Sequence, residues 1–361
     1  MKKIVLCCDG TKNQFGAENT NVIKLYSALD HDSPGQMAYY HPGLGSMGSP
    51  AALTTVSRLW TKVFGLAFGL GLSQHLADLY GYLMDHYQPE DKLYVFGFSR
   101  GAYTARALLG MLHTFGLVRN RDAALIPYGV RLLKSYGKRG NKEIAAQFRE
   151  TFSSATVDQE FAGVWDTVSS VGAVYSPVHM PFTAFNPSIR RARHAIAVDE
   201  RRAFYRQNLF HPAPGQDIEQ VWFPGAHCDV GGGYPEQESG LSKIALRWMI
   251  DEAAAAGLAF STERVALVLG GGEPYQKPNV AAKLHRSLSL AWWPLEVLPR
   301  FPRDPASGSR YFRLPFGRPR YIADGSRVHE SVFLRREACP EYRPANVKDR
   351  EAYVVVPMRR A

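Results

Sequence analysis

The chain has 361 residues, 45% of them hydrophobic and 21% charged, a balance that fits a folded globular protein and excludes a disordered or collagen-like one. Its net charge of +10 favours contact with anionic surfaces, phospholipid headgroups or nucleic acid, without choosing between them. Four cysteines, two of them adjacent at Cys7 and Cys8, make neither a disulfide framework nor a spaced zinc site, so buried thiols in a reducing compartment are expected.

Two lysines and a short apolar run open the chain. That run is too short for a signal peptide, which predicts a cytoplasmic protein, with export by a non-classical secretion system left open. Residues 3–8 read as a central strand ending in Asp9-Gly10-Thr11-Lys12-Asn13, a turn at the strand end where open α/β sheets do their chemistry. The Gly10 and Thr11 loop is a candidate for one backbone N–H of an oxyanion hole, with the Arg100 amide as the other. An Asx-turn capped by Asp9 is the plainer reading, and the two are compatible.

Residues 21–29 read as a short amphipathic helix and 37–41 as a second strand. The run from Gly43 to Gly48 matches G-x-G-x-x-G on paper, but no acid follows to bind a ribose, so a loop beside the site is expected instead. Residues 63–72, apolar and glycine-rich, are too short to cross a bilayer and could border an acyl pocket. They lead into a helix over 73–87 with Ser73 as its cap and Leu76, Leu79, Tyr80, Leu83 and Met84 on its buried face.

Residues 93–98 form a strand-like run and 102–112 a helix-like one, joined by Gly97-Phe98-Ser99-Arg100-Gly101. This fits the G-x-S-x-G elbow, whose sharp turn exposes the serine hydroxyl at the top of a sheet, and it makes Ser99 the candidate nucleophile. Residues 120–155 are more polar and basic and read as helices or an inserted cap. A strand over 161–165 then ends in Asp166, placed to orient a histidine; the alternative is that Asp166 only caps the next turn. Residues 190–204 carry dense charge at helical spacing and read as a salt-bridged helix in which His194 packs and Asp199 and Glu200 pair with arginines.

Residues 221–234 open from a strand into a loop bearing His227, Cys228, Asp229 and three glycines. His227 is the candidate general base, because a serine hydroxyl needs an imidazole to take its proton and that imidazole needs a carboxylate on its other nitrogen. His329 is the rival base, and Asp229 the rival partner in a Ser–Asp dyad. Residues 241–256 read as a helix. From 281 the chain is rich in Trp, Pro and Arg and reads as loops wrapping the core, with a lipid headgroup interface or single-stranded nucleic acid as the other uses of that composition.

Five motifs now stand in order: Cys8-Asp-Gly-Thr-Lys-Asn13, Gly97-Phe-Ser-Arg-Gly-Ala-Tyr-Thr-Ala-Arg106, Gly163-Val-Trp-Asp-Thr-Val168, His194-Ala-Ile-Ala-Val-Asp-Glu200 and Trp222-Phe-Pro-Gly-Ala-His-Cys-Asp-Val-Gly-Gly-Gly-Tyr234. Together they resemble the uncharacterised α/β-hydrolase family that includes the catalytic domains of type VI secretion lipase effectors. The resemblance implies an α/β-hydrolase-like fold with a mostly parallel central sheet, helices on both faces and loop-rich insertions. It implies phospholipase activity with Ser99, Asp166 and His227 as the triad, and no cofactor or metal in the acyl-transfer step.

The domain expected is 1–280, with a cap over 120–155, and a C-terminal extension over 281–361. The expected partners are a lipid or other ester substrate, an anionic membrane surface and an immunity or secretion partner, with no specific nucleic acid. Two rivals remain: a metal-dependent phosphoesterase using Asp9, Asp166, His227 and Asp229, and a non-catalytic basic protein that binds membrane or nucleic acid.

Overall fold

A computed structural model describes residues 1–10, 16, 18–43, 68–168, 172–173, 176–177, 180–300 and 312–359. Strands β1 (Lys3–Cys8), β2 (Gln36–His41), β3 (Lys92–Phe98), β4 (Asp158–Trp165), β5 (Ile189–Ala197), β6 (Asp217–Phe223), β7 (Arg327–His329) and β8 (Val354–Val356) form one sheet in the order β8-β7-β6-β5-β4-β3-β1-β2. All its pairings are parallel. From β1 the sheet grows to β2 on one side and through β3 on the other, so its switch point lies between the ends of β1 and β3, where ligands enter folds of this kind.

Strand alternation sorts the core into two layers. Ile4, Leu6, Leu93, Val95 and Val164 face α2 (Phe68–His86), α3 (Arg100–Phe115), α4 (Ile126–Lys134) and α5 (Asn141–Phe152). Val5, Cys7, Phe96, Phe98 and Trp165 face the opposite way, against α1 (Asn21–Ala28) and, beyond the short helix α6 (His227–Gly231), α7 (Gly240–Ala255). Each large apolar side chain taken fully out of water contributes roughly 1.5–3 kcal/mol, so both faces are held by burial rather than by helix propensity.

Helix α2 starts at Phe68, so Ser73 lies inside it rather than capping it; Leu72 is already part of its buried stripe, and Ser73 Oγ accepts from Lys134 Nζ at 2.6 Å. Residues 43–48 lie outside the described residues except for Gly43, and so do 63–67 of the run 63–72.

Residues 190–204 are not a helix. Their first part is β5, buried between β4 and β6. The charges suggested helical spacing, but Arg193 instead reaches Asp217 and Glu252, and Arg190 reaches Asp158, which leaves His194-Ala-Ile-Ala197 as a buried strand core. A fully buried parallel strand shows no period of two, which is why its pattern misleads. Towards the C-terminus, β7, α8 (Ser331–Ala338) and β8 extend the sheet edge over a third apolar cluster containing Trp222, Val328, Phe333 and Tyr342.

Candidate active site

Ser99 sits at the tip of the turn from β3 into α3, with φ 58° and ψ −118°, a conformation that L-residues adopt only under surrounding constraint. Its N–H donates to the Trp165 carbonyl at 3.1 Å. The flanking glycines make the turn sterically feasible. A Cβ at Gly97 would lie 2.7 Å from the Ala102 backbone, and one at Gly101 would collide with the carbonyls of Cys8 and Asp9. The elbow is thus wedged against the end of β1.

His227 opens α6, after β6 has ended at Phe223. Its ring lies between Phe98, with centroids 4.6 Å apart, and Tyr205, at 4.7 Å edge to face. Phe98 reaches this place because Gly231 has no Cβ to obstruct its ring. Nε2 of His227 is 2.8 Å from Ser99 Oγ, and Nδ1 is 2.6 Å from Asp166 Oδ2. A carboxylate only accepts, so Nδ1–H donates to Asp166 and Nε2 is left to accept the serine hydroxyl proton. Burial lowers the His227 pKa, against the pull of Asp166, and so favours the neutral ring.

Asp166 is fully buried at the end of β4. Its Oδ1 accepts from the Ala197 N–H at 3.0 Å, and the Arg320 guanidinium holds both oxygens, Nη1 to Oδ1 at 2.5 Å and Nη2 to Oδ2 at 3.0 Å. Burial alone would raise its pKa; the Arg320 charge and the His227 hydrogen bond outweigh that and hold the carboxyl well below the ordinary carboxylate range. Hydroxyl, imidazole and carboxylate therefore stand in one hydrogen-bonded line in a buried site.

The sequence model of the family described as "T6SS, Phospholipase effector Tle1-like, catalytic domain" matches residues 2–252. The chain belongs to this Tle1-like catalytic-domain family. The uncharacterized protein YEL023C of Saccharomyces cerevisiae is 35% identical over 228 residues, 59% of this chain and 33% of that protein.

Among solved structures, an uncharacterized protein from Pseudomonas aeruginosa aligns with TM-score 0.45 and 21% identity over 73% of this chain and 47% of its own. The Tle1 effector bound to the VgrG spike of the type 6 secretion system aligns with TM-score 0.36 and 19% identity over 66% and 52%. The chain thus spans about a third of the yeast relative and about half of each of these two structures.

The remaining candidates of this Tle1-like domain are not members of the line of three. Asp9 Oδ2 accepts from Thr20 and Tyr40, and its Oδ1 accepts from the Gly10 N–H at 2.6 Å. Gly10 thus takes part in an Asp9-centred turn, Thr11 lies outside the described residues, and the Arg100 amide stands at the first turn of α3, directly after Ser99. Asp229 accepts from Ala226 N–H at 3.0 Å and from His285 Nδ1 at 2.6 Å, which makes it an anchor for α6.

His329 ends β7, four strands from β3 and on the order of 19 Å away at ordinary strand spacing. It is buried, stacked on Phe223 and bonded to Ser331 Oγ at 2.7 Å, and so is not the histidine on Ser99. Asp166 and His227 meet, but they form no metal site with Asp9 and Asp229: among the described residues no group of three or more His, Cys, Asp or Glu is arranged to hold a metal ion. His194 is buried and accepts the Thr167 N–H at 3.1 Å. Glu200 pairs with Arg202, whereas Asp199 accepts from Gly225 N–H and Tyr342 instead of an arginine.

Two participants escaped the sequence. Tyr205 ends a short 3-10 turn over Ala203–Tyr205 and Arg320 lies in a loop, both in stretches whose composition marks only surface, and nothing in Arg318-Pro-Arg320 distinguishes the third residue from the first. Among the described residues, no helix is long and apolar enough to cross a membrane.

Proposed function

We propose that this chain is a serine hydrolase that cleaves phospholipid acyl esters through Ser99, His227 and Asp166. The observation that carries the reading is the hydrogen-bonded line from Ser99 Oγ through His227 to Asp166. Ser99 Oγ attacks the acyl carbonyl carbon while His227 Nε2 takes its proton, and the carbonyl π pair moves onto oxygen. The Arg100 amide, which directly follows Ser99 at the first turn of α3, would donate to that oxyanion.

Collapse of the intermediate breaks the bond to the glycerol oxygen, which leaves with the proton held on Nε2. Water activated by the same imidazole then frees the fatty acid and restores Ser99. Throughout, Asp166 stays ionised and stabilises the imidazolium. Membership of the phospholipase effector family supports the acyl ester of a phospholipid as substrate, and delivery by a type VI secretion apparatus as the route.

Vesicles of phosphatidylethanolamine and phosphatidylglycerol incubated with the protein should release free fatty acid and lysophospholipid, read by mass spectrometry. Ser99→Ala should lower that rate by about 10⁴ or more. Equal product from the wild type and from Ser99→Ala, or none from either, would count against the reading.

A further inference from the structure

Arg320 is the one cation in contact with Asp166 among the described residues, and it comes from far along the chain, beyond the 2–252 span of the family match. Its side chain is 6% exposed. One guanidinium there joins three elements: it holds both oxygens of Asp166 at the end of β4, the Ala197 carbonyl at the end of β5 at 3.0 Å, and the Tyr205 carbonyl at 2.6 Å. Tyr205 in turn presents its ring edge to His227. The Arg320 backbone is itself pinned, its carbonyl accepting from Asn346 Nδ2, which also reaches the Val198 carbonyl.

The planar fork of an arginine fixes a carboxylate in orientation as well as in charge, which a lysine cannot do. We propose that Arg320 is a positioning residue: it sets the plane of the Asp166 carboxylate toward His227 Nδ1 and balances its buried charge, so that the segment after residue 252 completes the active site. This rests on the Ser99–His227–Asp166 reading. The buried Asp166–Arg320 pair is neutral at rest, and the proton that Nε2 gains in the reaction adds one positive charge rather than cancelling a negative one. The other ionisable groups near Asp166 are His194 on β5, Cys228 on α6, and Glu200, which is paired with Arg202.

Without the guanidinium, burial favours the protonated acid, and a protonated Asp166 no longer accepts from Nδ1 as a carboxylate. The acid limb of the pH–rate profile should then move to higher pH. A loss of packing alone would lower the rate by the same factor at each pH.

The test is the rate of covalent labelling by a fluorophosphonate, followed by intact-mass spectrometry across a pH series, for the wild type, Arg320→Met, Arg320→Lys, Asp166→Asn and the double variant Asp166→Asn/Arg320→Met, each checked for fold by circular dichroism. Arg320→Met should label about 10²-fold more slowly at neutral pH, with its acid limb moved up. Arg320→Lys should keep the limb near its wild-type position and lose about tenfold in rate. The double variant should be no slower than Asp166→Asn, since Arg320 acts through that carboxylate.

Wild-type labelling rates in either Arg320 variant, an unmoved limb in Arg320→Met, or additive losses in the double variant would overturn the proposal. Should Arg320→Met fail to fold, the rate and limb of Arg320→Lys decide. A folded wild type that does not label at all removes the triad reading itself, and the role of Arg320 with it.

Discussion

His227 Nδ1 and Asp166 Oδ2 stand 2.6 Å apart although 61 residues separate them in the chain. The sheet brings them together. Asp166 leaves the end of β4 and His227 follows β6, and since the strands are parallel both emerge on the edge where Ser99 leaves β3. Each side chain is then held by its own local device: a glycine-flanked elbow, a short helix anchored by Asp229, and a guanidinium.

Burial lowers the His227 pKa, and the proposed chemistry needs the neutral ring. The acid limb of kcat/KM for a soluble nitrophenyl ester should therefore have its midpoint below the ordinary histidine value of about 6.5, with activity sustained at neutral pH. A midpoint well above that value would mean that the imidazolium is stabilised more than burial allows.

Gly101 offers a steric test of the elbow. Gly101→Ala should push α3 away from the Cys8 and Asp9 carbonyls, lowering the melting temperature and abolishing labelling of Ser99. Gly137→Ala, where nothing lies within 4 Å of the added carbon, is the control and should leave both unchanged. If both variants behave like the wild type, the wedge against β1 does not exist.

His194 and His329 are buried, and burial pushes their pKa values down to about 3 and about 4. The unfolded chain takes up their protons below about pH 6.5 while the folded chain does not, so stability rises with pH between those limits and falls on acidification. The urea midpoint should drop steadily from pH 6.5 to 4.5, by an amount on the order of a few kcal/mol in free energy. His329→Asn should flatten the slope, and a pH-independent midpoint would contradict the burial of both rings.

Glu236 lies between two buried ammonium groups, Lys24 at 2.6 Å and Lys243. Burial pushes the Lys243 amine down to about 7, with Lys24 nearby adding to the effect. Glu236→Gln leaves both amines without their carboxylate and should destabilise the fold by about 3 kcal/mol or more at pH 6. The loss should shrink towards pH 9, where Lys243 can give up its proton. Thermal melts at the two pH values check both the size and the trend.

The strand, elbow and helix around Ser99 were legible because each obeys a local rule: an apolar run, two glycines about a serine, and small residues at helical spacing. Asp166 and His227 were legible because each follows a strand that ends in a polar turn. What sequence could not give lies at long range. The strand character of residues 189–197 was hidden because its arginines find carboxylates on other elements, and Arg320 was hidden because its role depends on a contact across 154 residues. His329 looked eligible as a base until the order of the strands set it apart from β3.

The most direct measurement is intact-mass spectrometry after incubation with a fluorophosphonate, comparing the wild type with Ser99→Ala and His227→Ala, with and without a chelator. A nucleophilic Ser99 activated by His227 predicts one adduct on the wild type, unchanged by chelation and absent from both variants. No adduct on folded wild type, or an adduct that persists in Ser99→Ala, would contradict it.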